Sequence, residues 1–447
     1  MRFNYTIALF LFLSLPIFGK AQNVNIQNLD LQTCVDIALE NNLTLKRTQV
    51  NLATQEANLL GNQGQRIPTL NTGASSGYRW GRSINPVTNL FENNRIGNVN
   101  LFANSNVTLF AGQQVNNTIR QTKTNIEAAQ YDIKTTENNI SLNVINLFIN
   151  VVFAKEQLKI AQNQLTSTSE QLKVTTKLVD AGTLPLANKL DIQAQFATNE
   201  LEVINASNSL RIAKLNLAQA MQLPFNDELD VVTPDLNPEN FAMVEKNVDE
   251  IFEIATELMP QIKAAELNIK SADYGVRVAQ GGYSPTLSLG ASAFSNYVDQ
   301  SFGGFRQEFG DQIKNNFSNS ANVQLNIPIL SNMRNRANVQ RARLQKRLSE
   351  IQEEEAKNQL RQDIESAYTN AFASRQSFRA SETRVKSLEE SFRIAQQRFD
   401  AGAINFADFQ LAQNNYFNAQ ADLVTAKYTY IFRVKVLDFY LGNPLKL

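Results

Sequence analysis

There is no histidine in the 447 residues and only one cysteine, Cys34. The first absence removes histidine-based catalytic triads and histidine-containing metal sites. The second removes thiolate zinc clusters and any disulfide within the chain. Neither sign of charge predominates: 42 basic residues meet 42 acidic ones. Losing Arg2 and Lys20 with an N-terminal leader leaves 40 against 42, so no basic excess points to nucleic acid. Carboxylate or lysine catalysis is the chemistry left, and no clustered acids mark a pocket for it. The chain reads as a non-enzyme that needs no cofactor. Glycine and proline are scarce, at 18 and 11. Long stretches without a helix breaker, rich in Asn and Gln, suit long helices that are polar over much of their faces.

Long apolar runs are scarce as well. Ile7 to Phe18 is nearly unbroken, follows the positive Arg2, and precedes the small residues of Gly19-Lys20-Ala21. It reads as a signal peptide over residues 1–21; at about 12 residues it is too short to cross a bilayer as a helix. No other stretch approaches about 18 consecutive apolar residues. That excludes helical membrane spans but not a membrane β-barrel, whose strands hide in alternation.

What is present is a duplication. Pro68-Thr69-Leu70 returns as Pro285-Thr286-Leu287, and Gly73-Ala74 as Gly290-Ala291. Asp180-Ala181-Gly182 returns as Asp400-Ala401-Gly402, and Leu223-Pro224 is matched by Asn443-Pro444. The spacing changes between the two groups, which places a small insertion near 299–317. Repeats of about 200 residues are too long for a solenoid unit. The chain divides into a first repeat over 22–225, a linker over 226–247 and a second repeat over 248–447.

Each repeat has the same order of elements. It opens on a short amphipathic helix, with Leu31, Val35, Ala38 and Leu39 on one face, and a second helix follows Asn41-Asn42. Two strands of period two come next, at about 69–82 and 98–110 in the first repeat and about 286–298 and 317–329 in the second. One face of each is apolar (Val99, Leu101, Val107; Val323, Leu325, Ile327) and the other is Asn, Ser and Gly. An amide face suits a watery lumen, with the apolar face toward lipid. Tyr78, Trp80 and Tyr297 stand at the strand ends near the loops, where an interfacial aromatic girdle belongs. The loops at about 83–97 and 299–316 are polar and would lie outside. Four strands cannot close a barrel, so if these lie in a membrane several chains must contribute; the alternative is two soluble hairpins with one wet face.

Long helical hairpins follow, at about 112–222 and 332–442. Residues 113–180 and 333–400 contain no Gly or Pro, and each run would be about 100 Å long as a helix. Apolar positions recur at coiled-coil spacing: Leu142, Ile145, Ile149, Val152; Leu360, Ile364, Tyr368, Phe372. Gly182 and Gly402 are natural residues for the left-handed position after a helix, so both turns cap there.

The duplicated architecture, the Leu31-to-Asn42 opening and the turns Gly182-to-Asp191 and Gly402-to-Gln413 together resemble the TolC-like outer membrane efflux and secretion channel family. The likeness covers essentially the whole mature chain. It implies a homotrimer in the outer membrane of a Gram-negative cell. Three chains of four strands each would make a 12-stranded β-barrel, continued by a 12-helix periplasmic α-barrel. It implies an exit duct served by a periplasmic adaptor and an inner membrane transporter, with Gly182, Thr183, Leu184, Gly402, Ala403 and Ile404 as adaptor-contact candidates. It implies an acidic periplasmic gate, matched by Asp408 and, one turn beyond Asn188, by Asp191. Leu411 stands where some members carry a second acid. Asp408 also suits the N-terminal turn of a helix on dipole grounds alone. The competing reading is a soluble periplasmic coiled-coil adaptor or scaffold, which requires soluble hairpins and lacks the Gly-rich β-modules of such proteins.

Overall fold

The structure is a computed structural model that describes residues 28–84, 89–234, 246–299 and 307–443. The leader and residues 300–306 of the expected second loop lie outside these residues. Nine helices and four strands are described: α1 Leu31–Asn41, α2 Leu43–Gly64, β1 Thr69–Ile84, β2 Phe91–Ala111, α3 Gln114–Asp180, α4 Leu186–Ala220, α5 Val248–Leu258, α6 Pro260–Gly281, β3 Thr286–Asp299, α7 Phe309–Asn315, β4 Ser318–Asn326, α8 Arg334–Asp400 and α9 Phe406–Tyr440.

Local chemistry sets the boundaries. Asp30 accepts from the Thr33 N–H at 2.8 Å to start α1. Asn42 ends α1, then caps α2 by accepting from the N–H groups of Thr44 and Leu45. Asn247 does the same for α5 through Glu250, and Pro260 opens α6 at a position whose N–H needs no partner. The helices α3 and α8 are each 67 residues, about 100 Å of continuous helix. Both end in the same turn. The Gly182 N–H reaches Val179 O and the Thr183 N–H reaches Leu178 O; Gly402 and Ala403 repeat this with Phe399 and Arg398. With φ of +77° and +71°, Gly182 and Gly402 occupy the left-handed position of a Schellman cap.

The four strands form one antiparallel sheet in the order β1-β2-β3-β4. Its register pairs Gly73 with Phe102, Phe102 with Phe294 and Phe294 with Ser318. The first hairpin is longer than the alternation predicts. β2 begins at Phe91 rather than near 98, and pairing runs out to Ile84↔Phe91. The expected outer loop at 83–97 is thus mostly strand; its residues 85–88 lie outside the described set. The second hairpin is shorter at its inner end. β4 stops at Asn326 rather than near 329, because Pro328 has no N–H to give a ladder. The expected loop at 299–316 contains α7. Gln312 on α7 accepts from the Val298 N–H at 3.0 Å and donates to Val298 O at 3.1 Å, pairing the stretch of β3 that outruns β4.

Below the sheet the helices stand side by side as α2, α3, α6, α8. Asn62 donates to Thr122, Ser271 to Asn125, Asn335 to Gly282 O and Lys346 to Asp273, one link or more for each neighbouring pair. The cores are small and lie halfway down. α1 packs Cys34, Val35 and Ala38 onto Val144, Ile145, Phe148 and Val152 of α3. α5 and α6 pack Ile251, Ala255 and Ile262 onto Leu360 and Ile364 of α8. Burial pushes the Cys34 thiol up to about 12, so it is a packed apolar group rather than a nucleophile. Of the predicted core positions, Phe372 is the exception: it is exposed, while Ala367 and Ala371 take the buried face.

An ion triplet ties the segment after α4 to this core. Asp230 sits 2.8 Å from Lys155 and 3.3 Å from Lys214, and its neighbours pair with Leu29 as a short parallel bridge. Burial alone would raise its carboxyl, but the two lysines outweigh burial and hold it below the usual range. A lowered folded value means stability that is present above about pH 4 and lost as pH falls through that value. Asp230→Asn is therefore expected to cost about 1–2 kcal/mol at pH 7, discounted because the carboxylate is partly exposed. Thermal unfolding of wild type and variant should converge below about pH 4; a gap that persists there would place the effect outside the carboxylate.

Candidate channel and gate

The two faces of the sheet differ in chemistry. One presents Asn71, Asn100, Asn104, Asn106, Asn322 and Gln324, interrupted by Phe102 and Phe294, with Gly73 and Gly290 where bulk is refused. A Cβ on Gly73 would stand 2.5 Å from the Phe102 ring, and one on Gly290 would stand 2.7 Å from the Asn322 amide oxygen. The other face carries Leu70, Leu101, Leu289, Val323 and Leu325. Leu70 is 77% exposed and Val323 65%, with nothing among the described residues covering either.

The aromatic residues singled out by the sequence lie on this apolar face, on successive rows of the sheet. Trp80 is opposite Arg95, Tyr78 is opposite Gly97, and Tyr297 is opposite Val99. The Tyr78 and Trp80 rings are 6.0 Å apart, Arg95 lies 4.9 Å from the centre of the Tyr78 ring, and Tyr297 meets Phe309 edge-on at 5.1 Å. Gly97 is required here, since a Cβ would stand 2.8 Å from the Tyr78 ring.

At the far end, about 100 Å of helix away, the two turns are packed together. Ile192 of α4 is buried against Phe406 and Phe409 of α9, with Phe399 stacked on Phe409 at 4.8 Å. Above this cluster the hairpins meet through amides rather than oil. Gln157 donates to Ala421 O, Gln164 to Asn414, and Gln413 to Ser167; Gln410 reaches Gln195. Gly182, Thr183, Gly402 and Ala403 are exposed at the tips, while Leu184 and Ile404 are half-buried. Asp408 and Asp191 are both exposed. Asp408 is the third residue of α9, and its N–H donates to the capping Asn405 side chain at 2.8 Å. The first repeat has no such cap: Pro185 precedes α4 and makes no side-chain bond. Asp180 instead lies 3.7 Å from Lys189.

The aromatic cluster at the turns was missed by sequence reasoning, although Phe392, Phe399, Phe406 and Phe409 fall at spacings of seven, seven and three. The side-chain pairing by Gln312 left no signal, because one Gln among polar residues carries none.

The unit is a sheet with one wetter and one apolar face, set on two very long helical hairpins. The chain belongs to the outer membrane efflux protein family, whose pattern matches residues 34–221 and again 252–443. It is 25% identical to the outer membrane protein TolC of Escherichia coli over 272 residues, 60% of this chain and 54% of that protein. It is 20% identical to the proteases secretion protein PrtF of Dickeya chrysanthemi over 256 residues, 57% of this chain and 54% of that one. The chain thus spans about half the length of the curated relatives it matches. Among solved structures it superposes on the CmeC outer membrane channel of Campylobacter jejuni with a TM-score of 0.79 at 20% identity, covering 92% of this chain and 85% of that one. The open-state MtrE outer membrane channel of Neisseria gonorrhoeae gives 0.74 at 20% identity, covering 93% and 89%.

Proposed function

We propose that the chain forms an exit duct across the outer membrane for an efflux or secretion assembly, conducting cargo passively. Family membership displaces the soluble-adaptor alternative. The observation that carries the duct reading is the pair of open sides. Among the described residues β1 and β4 have no partner along their outer edges, and the helices beneath them are bare as well. α2 exposes Leu43, Val50 and Leu60, and α8 exposes Leu344, Leu348 and Ile351. An open sheet edge is not tolerated in lipid, so copies of the chain must close it. Three copies, as the family likeness implies, give an even strand number with the amide face inward and the apolar face outward. No described helix is long and apolar enough to cross a membrane, which leaves the sheet as the spanning element.

In this reading the turns at Gly182, Thr183, Leu184, Gly402, Ala403 and Ile404 meet a periplasmic adaptor, which couples the duct to an inner membrane transporter. Asp408, with Asp191 behind it, narrows the inner end. Tyr78, Trp80 and Tyr297 form the girdle at the outer interface. The test is single-channel recording in planar bilayers with purified full-length protein. Discrete conducting steps from a salt-resistant membrane fraction are expected. Extraction from membranes by salt alone, with no conductance, would sink the proposal.

A further inference from the structure

We propose that the collar where sheet passes into helix is a binding surface for the anionic phospholipid headgroups of the leaflet nearest the helices. This rests on the reading of the sheet as membrane-embedded. Along β1, Leu70 to Trp80 is ten steps, about 34 Å at 3.4 Å each, or about 25 Å tall once tilted by some 40°. That is the height of the apolar band of a membrane barrel. With Trp80 at one boundary, the other boundary falls at Leu70 and, across the sheet, at Ile329 and Leu330. Those two are 87% and 92% exposed, the barest large apolar side chains described.

Directly below them the chain is basic down to Glu127 on α3 and to Asp273 on α6, which is already paired with Lys346 and Arg277. No Asp or Glu occurs between Glu56 and Glu92, between Glu92 and Glu127, between Asp273 and Asp299, or between Asp311 and Glu350. Apart from Glu92 on β2 and Asp299 at the end of β3, both at the outer end of the sheet, these intervals cover the strands and every junction with a long helix. Within them the duplication repeats a positive charge at the same height. Lys123 on α3 corresponds to Arg343 on α8, both 220 apart like the turns. Arg336 corresponds to Asn116, and Arg66 fills that place in the first repeat by donating to Asn116 Oδ1 at 2.5 Å. Lys123, Arg336 and Arg343 are exposed and, among the described residues, have no ion-pair partner.

The direction these groups face follows from helix geometry. Arg343 stands five turns above Arg361, which pairs with Asp249 of α5 at 3.0 Å. Lys123 stands about eight turns above Val152, which α1 covers. Helices α1 and α5 pack on the outside of the helical layer, since either would obstruct a duct from within. The positive groups therefore point outward, toward the leaflet rather than the lumen. Arg336 lies at headgroup depth, and Arg343 and Lys123 lie about 10 Å lower, within reach of long side chains that extend upward and within one Debye length. Apolar side chains above and cations below match a boundary where acyl chains end and phosphates begin.

The experiment uses the full chain in phosphatidylcholine proteoliposomes containing spin-labelled phosphatidylglycerol or spin-labelled phosphatidylcholine. The motionally restricted fraction measures contact with the protein. Wild type is expected to favour phosphatidylglycerol, with the preference weakened by salt. The K123Q/R336Q/R343Q variant should lose that preference by about fivefold per charge removed while keeping its channel conductance. Replacing Lys159 and Arg375, far down the helices, should leave it intact. Equal association of both lipids with wild type, or an unchanged preference in the triple variant, overturns the collar. A triple variant that falls apart into single chains on cross-linking also overturns it, by placing the charges between copies. Wild-type protein that conducts but shows no lipid preference defeats only this inference. Protein that does not enter bilayers defeats the duct reading as well.

Discussion

Gly112→Val is expected to abolish recovery of folded protein from membranes, because two independent costs fall on one atom. Gly112 has φ of +57°, where a β-branched residue is strained by about 1–2 kcal/mol. A Cβ there would also run into Ser284 Cβ and stand 2.6 Å from Gly281 O. Gly281 in turn leaves no room for its own Cβ, which would stand 2.6 Å from Gly112 O. The two backbones touch where β2 hands over to α3 and α6 hands over to β3, so neither can retreat without tilting a helix of about 100 Å. Overpacking of that kind adds about 1–3 kcal/mol. The second repeat supplies the control. Its counterpart position is Asn332, with φ of +47°, and Met333 follows at +61° as Gln113 does at +63°. Asparagine tolerates the conformation, so the second junction meets the same backbone demand without the contact. Gly112→Asn therefore separates the two costs. If crowding dominates, the Asn variant should fail nearly as badly as Val in heat-stability and membrane-recovery assays. Full stability of Gly112→Asn would show that φ alone matters. Asn332→Ala should cost only about 1 kcal/mol.

These junctions also show what a sequence can and cannot disclose. The long helices were legible almost to the residue. Gln114–Asp180 and Arg334–Asp400 lie in breaker-free runs, and a glycine just past each end fixes the stop. The strands were legible by face but less so by length. Gly81, Asn93 and Gly97 look like turn residues, yet they sit in paired strand because Arg82 lies over the Phe91 ring and Tyr78 over Gly97. Such contacts depend on register across the hairpin, which no local pattern reports. Helix α7 was illegible because seven residues in a polar loop carry no periodicity. The exposure of Phe372 has the same origin. Alternate apolar sets overlap on a long helix, and which one is buried depends on where α5 docks. For the proposed gate, the family resemblance pointed to Asp408, and the structure shows the residue in the capping turn of α9.

Asp408→Asn is expected to raise the concentration of multivalent cation needed to block the channel by about 10- to 100-fold. In the proposed trimer three Asp408 carboxylates near one axis would act together on such a cation, and each removed charge would weaken the attraction even in a wet constriction. The competing role is structural: Asn405 and Asp408 form the cap of α9, and an acid suits a helix N-terminus. The two roles respond to different substitutions. Asn405→Ala deletes the oxygen that accepts from the Asp408 N–H and should cost about 1 kcal/mol of stability. It leaves the Asp408 charge in place, so block should stay as in wild type. Asp408→Asn keeps a polar side chain of the same size at the third helical position, so thermal stability should change little while block weakens. Asp191→Asn probes the first repeat, where Pro185 offers no cap and Asn188 stands in the matching place. Its effect on block should be smaller, because the acid lies one turn farther along its helix. Block that is unchanged in Asp408→Asn but lost in Asn405→Ala would reverse the assignment: the turn would shape the entrance, and the carboxylate would only hold the helix.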